Sequence, residues 1–445
     1  MLALTSVAHP ESPAVAPGRS LQGKRVGMVL FSTYPADPRP RRAIEALLKE
    51  GMSVDLICLR DGDGLSRERR GTFGVLRLPL THRRGTKLSY IYKYSAFILL
   101  SGIILAIRSI RRRYNLIYVH NMPDVLVVSA LLPKLLGAKV ILDQHDPMPE
   151  LMMTIFNRQK SSLSVRLLTW LEKWSIRRAD RVITVNLACK RIFGSRSCSP
   201  DKIGIVMNSP DDSIFPFRAA HPQMQGQQTH DKFDIMYHGS LVERNGLDLA
   251  VEALAIVRRS VPYVRLNIYG LTTPFLETVM RRVRSEGLED CVIYCGPRTL
   301  EELVREIQQC DLGVIPNQRS IFSEINTPTR IFEYLALGKP VIAPRAGGVC
   351  DYFDECSMVL FELGDAQDLA DKIKYIISDP SGTVDRVKRG QEVYQRHCWP
   401  IEKQRLTRLV SGLLAGRTEE IDDSEAVLAA IAASDRLAEA AESSR

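Results

Sequence analysis

At 445 residues the chain is too long for one ordinary hydrophobic core, so two or more domains are expected. A composition of 45% hydrophobic and 25% charged residues is globular rather than disordered. The net charge is +9; residues 416–445 carry three arginines against eight acids, which leaves about +14 on the rest and suits anionic partners. No aromatic-interleaved basic stripe or nucleic-acid motif accompanies this charge, so nucleic acid is the poorest fit among them.

The opening residues 1–22 have neither a charged start nor an apolar core, and are expected to form a disordered leader rather than a signal peptide. From there strand-like apolar runs alternate with helical patterns. The strands expected in the first half are Arg25–Phe31, Val54–Leu59, Leu116–His120, Lys139–Asp143, Arg181–Val185 and Ile203–Met207. Arg41–Glu50, Asp124–Leu136 and Ser164–Arg177 read as helices between them. Such alternation predicts a doubly wound parallel sheet. One run stands apart: Tyr94–Ile107 is fourteen residues without charge, short of the ~20 an ordinary spanning helix needs. Arg83, Arg84, Lys87 and Lys93 precede it, and Arg108 and Arg111 to Arg113 follow. It is expected to be a buried core helix, with a helix on an anionic membrane surface as the alternative.

Residues 221–232 are polar and aperiodic and read as a linker. The alternation then restarts. Strands are expected at Ile235–His238, Leu266–Tyr269, Val292–Cys295, Leu312–Pro316, Val341–Ala343 and Met358–Leu360, with helices at Leu247–Arg259, Pro274–Glu286, Leu300–Gln309 and Gln367–Ile377. The fold class expected is therefore α/β, with two tandem Rossmann-like domains, 23–220 and 233–390, facing each other across a ligand cleft. Residues 391–413 are expected to cross back onto the first domain, and 414–445 form an acidic Ala-rich tail. Neither domain has GxGxxG after its first strand, which disfavours a dehydrogenase, and there is no Walker A loop. The nine cysteines are scattered, with no CxxC pair and no zinc-type cluster, as in a reducing cytosolic protein.

The most specific segment is 326–348, NTPTRIFEYLALGKPVIAPRAGG. Thr327 as N-cap, Pro328 as first residue and Gly338 as terminator predict a helix over Pro328–Leu337. Arg330 and Glu333, three apart, share a face of it. Alone they would read as a solvated ion pair. At a helix N-terminus they offer more: amides and a cation for phosphate, and a carboxylate that can hold two sugar hydroxyls. That combination is what a nucleotide-sugar site needs.

These residues resemble the retaining glycosyltransferases of family 4, with the GT-B fold, in particular bacterial members that extend polysaccharides. The resemblance runs from Lys24 to about Ser411 and implies that Glu333 grips the ribose while Arg330 lies toward the diphosphate. It departs from the family pattern where a first glutamate would fall on Ile325; Glu324 is one residue off, and the backbone of Ile325, Asn326 and Thr327 is the substitute. The stretch Met236–Ala250, MYHGSLVERNGLDLA, resembles the family's first strand, glycine turn and helix. Gly239 allows close backbone approach; Ser240 and Asn245 stand where the family often has Arg and Lys, and Arg244 is expected to supply the missing cation. On the acceptor side, Phe31–Arg42 resembles the opening loop, with Arg39, Arg41 and Arg42 at a helix start where cations oppose the dipole and an acidic acceptor would explain them. His120 and His145 end neighbouring strands; His145 corresponds to the family's cleft histidine, with Asp146 and Glu150 as secondary candidates.

The implied activity is a metal-independent hexosyltransferase that moves a sugar, with retention, from a nucleotide-diphosphate donor to a lipid-linked or glycan acceptor. Arg244, Arg330, Glu333 and His145 are the catalytic set, and neither a metal nor a further cofactor is called for. The alternatives are a GT-B nucleotide-sugar epimerase and a catalytically weak nucleotide-sugar-binding partner. The expected location is cytoplasmic, with a peripheral position on the inner face of the plasma membrane as the alternative if the apolar run docks there.

Overall fold

The structure, a computed structural model, describes residues 21–61, 64–80, 87–220 and 232–417. All but Leu21 and Gln22 of the expected leader, almost all of the expected linker and most of the acidic tail lie outside them, as do Arg83 and Arg84; Leu21 is buried in the first core, so the leader ends before it. In the first half the elements are β1 (Arg25–Thr33), α1 (Pro38–Lys49), β2 (Ser53–Leu59), β3 (Arg67–Arg70), β4 (Phe73–Leu78), α2 (Lys87–Arg111) and β5 (Leu116–His120). A 3₁₀ turn at Asp124–Ala130 leads into α3 (Leu131–Leu135), β6 (Lys139–Gln144), α4 (Met148–Phe156), α5 (Leu163–Arg178), β7 (Arg181–Thr184), α6 (Leu187–Arg196) and β8 (Ile203–Ile205). Among the described residues these strands make one eight-stranded sheet, ordered β3-β4-β2-β1-β5-β6-β7-β8, parallel except for β3.

The second half runs β9 (Phe233–His238), α7 (Leu247–Arg258), β10 (Val264–Tyr269), α8 (Pro274–Ser285), β11 (Val292–Gly296), α9 (Leu300–Gln309) and β12 (Leu312–Val314). It continues with α10 (Ile321–Ile325), α11 (Thr329–Ala336), β13 (Val341–Arg345), α12 (Gly347–Cys350), β14 (Val359–Glu362), α13 (Ala366–Ser378), α14 (Pro380–Arg396) and α15 (Trp399–Leu414). Its six parallel strands are ordered β11-β10-β9-β12-β13-β14. In both sheets the first strand has its successor on one side and a later strand on the other. The switch points are β1/β5 and β9/β12, where a crevice opens beyond the strand ends. Two parallel-sheet α/β domains are thus the architecture, as the alternation predicted.

Each sheet carries apolar side chains on both faces, because crossover helices cover both. The helix expected over 391–413 is two helices. α14 stays on the second half, where the Gln391 amide donates to the carbonyls of Arg218 and Leu335 and Tyr394 lies in the core. The chain breaks at His397–Cys398, and Pro400 starts α15, which crosses to the first sheet and buries Leu406, Leu409 and Val410 there. Glu402, fully buried on α15, accepts from the Met207 amide at 2.8 Å and so ties the two crossings together.

The apolar run is longer than its fourteen residues suggested. Within α2, Ile91–Arg111 is long and apolar enough to cross a membrane by length and composition, yet only 22% of it is buried. Phe97, Ser101 and Leu105 face the core, against the 3₁₀ turn and α3, while Leu99, Ile103, Ile107 and Ile110 are exposed. A fully buried core helix is therefore corrected to a half-seated one. Its outer face continues onto Leu132 and Leu135 of α3, and on neighbouring α5 Leu163, Leu167 and Trp170 are exposed as well.

Candidate active site

On the first sheet, Asp143 is the centre of a buried polar cluster that the sequence did not announce. It pairs in register with His120 across β5 and β6. Arg39 donates to both its oxygens, with Nη2 2.6 Å from Oδ1, and the Tyr118 hydroxyl donates to Oδ2 at 2.9 Å. Burial alone would raise this carboxyl; Arg39, then His145 and His120, hold it well below the usual carboxylate range. Arg39 also donates to the Val206 carbonyl and to Asn208. Its place in the acceptor loop is thus corrected: 7% exposed and fully engaged, it fixes Asp143 and offers nothing to a ligand. The carboxylate 104 residues away, not an acidic acceptor, explains a cation in the first turn of α1.

His120 is fully buried, and burial lowers its pKa below the ordinary histidine value despite Asp143. Its Nδ1 lies 3.1 Å from Nε2 of His145, and only His145 of the pair is partly open, at 17%. The His145 amide is held by Asn121 Oδ1 at 2.8 Å. His145 is therefore the side chain this cluster presents, and His120 stands behind it. Ligand-capable atoms of His120, Asp143 and His145 come within 4.8 Å of one another, close enough for a metal ion. The Arg39 guanidinium against the same carboxylate would repel a cation there. Glu150, the other secondary candidate, is engaged elsewhere by a two-pronged pair with Arg196.

On the second sheet, His238 ends β9 and orders the opposite wall. Its Nε2 lies 2.7 Å from Oε2 of Glu333, and its Nδ1 lies 2.9 Å from the Tyr334 hydroxyl, which donates to the Met236 carbonyl. One Glu333 oxygen is thereby fixed and the other carries no hydrogen bond among the described residues. Arg330 donates to the His238 carbonyl at 2.7 Å and stacks its guanidinium over Tyr237, so it braces the turn at Gly239. Gly239 has φ +121°, which a side chain would strain. At Gly246 a Cβ would fall 1.7 Å from the Pro316 carbonyl, so glycine brings the start of α7 against the end of β12. Ser240 is exposed beside this turn, its carbonyl accepting from Tyr237 and Asn245.

Thr327 is not the N-cap. Its hydroxyl donates to the Gly348 carbonyl at 2.6 Å and accepts from Asn186 at 3.0 Å, so tertiary partners outbid the local rule. α11 starts at Thr329 with Pro328 as cap, and its free amides begin there, next to Arg330. Asn186, the N-cap of α6, also donates to the Ile325 carbonyl and so bridges the halves through Ile325–Thr327, with Asn326 between. Glu324 is not gathered into the Glu333 cluster. It sits on α10, 44% exposed and 3.6 Å from Arg319, because α10 packs on α4, where the Phe322 amide meets Thr154.

Arg244 sits on a 3₁₀ turn at Glu243–Asn245, partly buried. Burial raises the Asp146 carboxyl, and His145 and Arg244 both pull it back down. Asp146, next to His145 in the chain, is thus within electrostatic reach of Arg244 from the other half. Arg41 is partly exposed, 3.8 Å from Asp211. Sequence reasoning missed Asp143, His238 and Tyr334. For His238 and Tyr334 a signal existed: polar residues adjoining the glycine turn and Glu333.

The chain matches two family models, "Glycosyl transferase 4-like domain" over residues 36–209 and "Glycosyl transferases group 1" over 232–379. Among curated proteins it is 28% identical over 144 residues to the amylovoran biosynthesis glycosyltransferase AmsK of Erwinia amylovora, covering 32% of this chain and 35% of that one. It is 27% identical over 176 residues to a GDP-mannose-dependent phosphatidylinositol monomannoside mannosyltransferase of Mycolicibacterium smegmatis, covering 39% and 46%. It thus spans less than half the length of these two relatives. Among solved structures it is similar to sucrose-phosphate synthase from Thermosynechococcus elongatus, with TM-score 0.72 at 18% identity, covering 88% of this chain and all of that one. HepE from Anabaena, solved with UDP, gives 0.63 at 17%, covering 87% and all of it.

Proposed function

The chain belongs to the glycosyltransferases whose 4-like and group 1 models it matches in tandem, and from that premise we propose that it transfers a sugar, with retention, from a nucleotide-diphosphate donor to a lipid-linked or glycan acceptor. The observation that carries this reading is the pairing of the two walls. Glu333, held by His238, and Arg330, at the free end of α11, line one side; His145, backed by His120 and Asp143, looks out from the other. HepE was solved with UDP and UDP-glucose, which favours a uridine diphosphate sugar as the first donor to try.

In this reading the free oxygen of Glu333 takes the ribose hydroxyls, and the α11 amides with Arg330 and Arg244 take the diphosphate. Breaking the anomeric C–O bond builds negative charge on that leaving group, which fixed cations and helix amides stabilise more in the transition state than in the ground state. The protein's own cations serve this role, so the mechanism needs no metal. Asp143, sealed by Arg39, is not free to act as a nucleophile, and we take front-face attack by the acceptor as the mode of retention. His145 then orients the transferred sugar and the incoming hydroxyl.

The acceptor side favours a membrane-borne substrate. The outer face of α2 is apolar over several turns and ends in exposed Arg111, Arg112 and Arg113. An amphipathic surface of this kind lies in the headgroup region, each cation adding about 1 kcal/mol of attraction to an anionic leaflet. The place of work we propose is accordingly the cytoplasmic face of the plasma membrane. Flotation with phosphatidylglycerol-containing vesicles should recover the chain at low salt and lose it as salt rises. Changing Arg111, Arg112 and Arg113 together to Gln should release it while leaving nucleotide affinity intact. Indifference of the unaltered chain to anionic vesicles at low salt would make a soluble glycan the acceptor.

A further inference from the structure

The first turns of α1 carry three arginines, and the structure treats them unequally. Arg39 is saturated by Asp143, Val206 and Asn208. Arg42 is buried to 6% exposure with no ion pair or hydrogen bond among the described residues; its guanidinium rests 5.3 Å over the Trp399 ring at the start of α15, and its Nε is buried without a partner. Arg41 Nε is buried without a hydrogen bond, and its guanidinium has only long ion pairs, 3.9 Å to Glu45 and 3.8 Å to Asp211. A third such donor, the Ser209 hydroxyl, is fully buried on the loop between Asn208, which meets Arg39, and Asp211, which faces Arg41. Burying a guanidinium unpaired is costly, and one is rarely kept so unless a counter-charge visits it.

We propose that Arg41, Arg42 and Ser209 form a seat for an oxyanion of the acceptor, a phosphate or a carboxylate, between α1, the start of α15 and the loop that follows β8. The three groups are all donors, and a tetrahedral or planar oxyanion accepts from such a set with charge-assisted bonds. Burial, and then the neighbouring Arg39, pushes Arg42 down to about 10, while Asp211 and Glu333 counteract it. This deepens the glycosyltransferase reading and rests on it: the acceptor is acidic, and its charge is read by the first domain at α1 and the loop that follows β8.

Calorimetry on the full chain tests this, with UDP saturating the donor wall and glucose 1-phosphate, glucuronate and glucose as probes. At least one anion should bind about tenfold or more tighter than glucose, the scale of one charged hydrogen bond. Preference for glucose 1-phosphate would assign a phosphate, preference for glucuronate a uronic acid. Arg42→Gln should erase the advantage of the anion and change UDP affinity less than about twofold; should that variant not fold, Arg41→Gln, at a side chain 24% exposed, should reduce the advantage. A chain that takes UDP but binds neither anion better than glucose, or variants that keep the anion preference, would overturn the seat and spare the transferase reading. If the chain ignores UDP and every other nucleoside diphosphate yet binds an anion through Arg42, the seat stands and the transferase reading falls.

Discussion

Replacing Glu333 with alanine is expected to lower affinity for the nucleoside diphosphate at least tenfold while the chain stays folded. The change removes the acceptor for two ribose hydroxyls, each hydrogen bond to a charged group contributing roughly 1.5–3 kcal/mol. It also frees His238, whose Nε2 is tied to Glu333 at 2.7 Å, so the turn that leads to Gly239 loses a brace on the same wall. Glu333 is only half-buried on α11, and the buried residues beside it, Ile331, Phe332, Tyr334 and Leu335, carry the packing. Titration calorimetry with UDP reads the loss directly. Glu333→Gln, which keeps the shape, should lie between alanine and the parent. A dissociation constant within threefold of the parent would remove Glu333 from the ribose.

Histidine 145 should behave in the opposite way. His145→Ala is expected to reduce transfer about 10²-fold, the usual cost of one group that acts mainly in the transition state. Nucleotide affinity should stay within twofold, because the residue belongs to the other wall. Stability should change little, since the ring is partly open and Asp143 keeps Arg39 and Tyr118. Turnover and UDP affinity measured on one preparation separate these effects. Unchanged turnover would reduce His145 to a cap on the His120–Asp143 cluster.

The architecture was legible because alternation is written into the chain. Leu116–His120 and Leu300–Gln309 have the bounds read from the sequence, and most other elements differ by one or two residues. β3 was not legible: Arg67–Arg70 is RERR, an edge strand with no apolar face, held by pairing to β4. The site was half legible. Glu333, Arg330 and His145 carry local signals, a helix face or a strand end. Asp143 does not, because its meaning comes from Arg39, which only folding brings to it. Arg39 and Thr327 mislead for the same reason: a local rule, the helix dipole for one and the N-cap for the other, points to a local role, and each is claimed in the fold by a distant partner. For α2 the charge-free stretch showed its apolar content but not which face would be covered, since the 3₁₀ turn and α3 that cover it lie after the next strand.

The central claim is that the wall built by His238, Arg330 and Glu333 holds a nucleotide-diphosphate sugar. Thermal unfolding of the purified chain across a panel of nucleoside diphosphates and their sugars tests it most directly. A ligand at 100 times its dissociation constant adds about 2.7 kcal/mol to the native state, a shift of several degrees. At least one base should raise the midpoint by that amount in the parent chain and fail to do so in Glu333→Ala. No shift with any nucleotide, or an equal shift in both chains, would contradict the account.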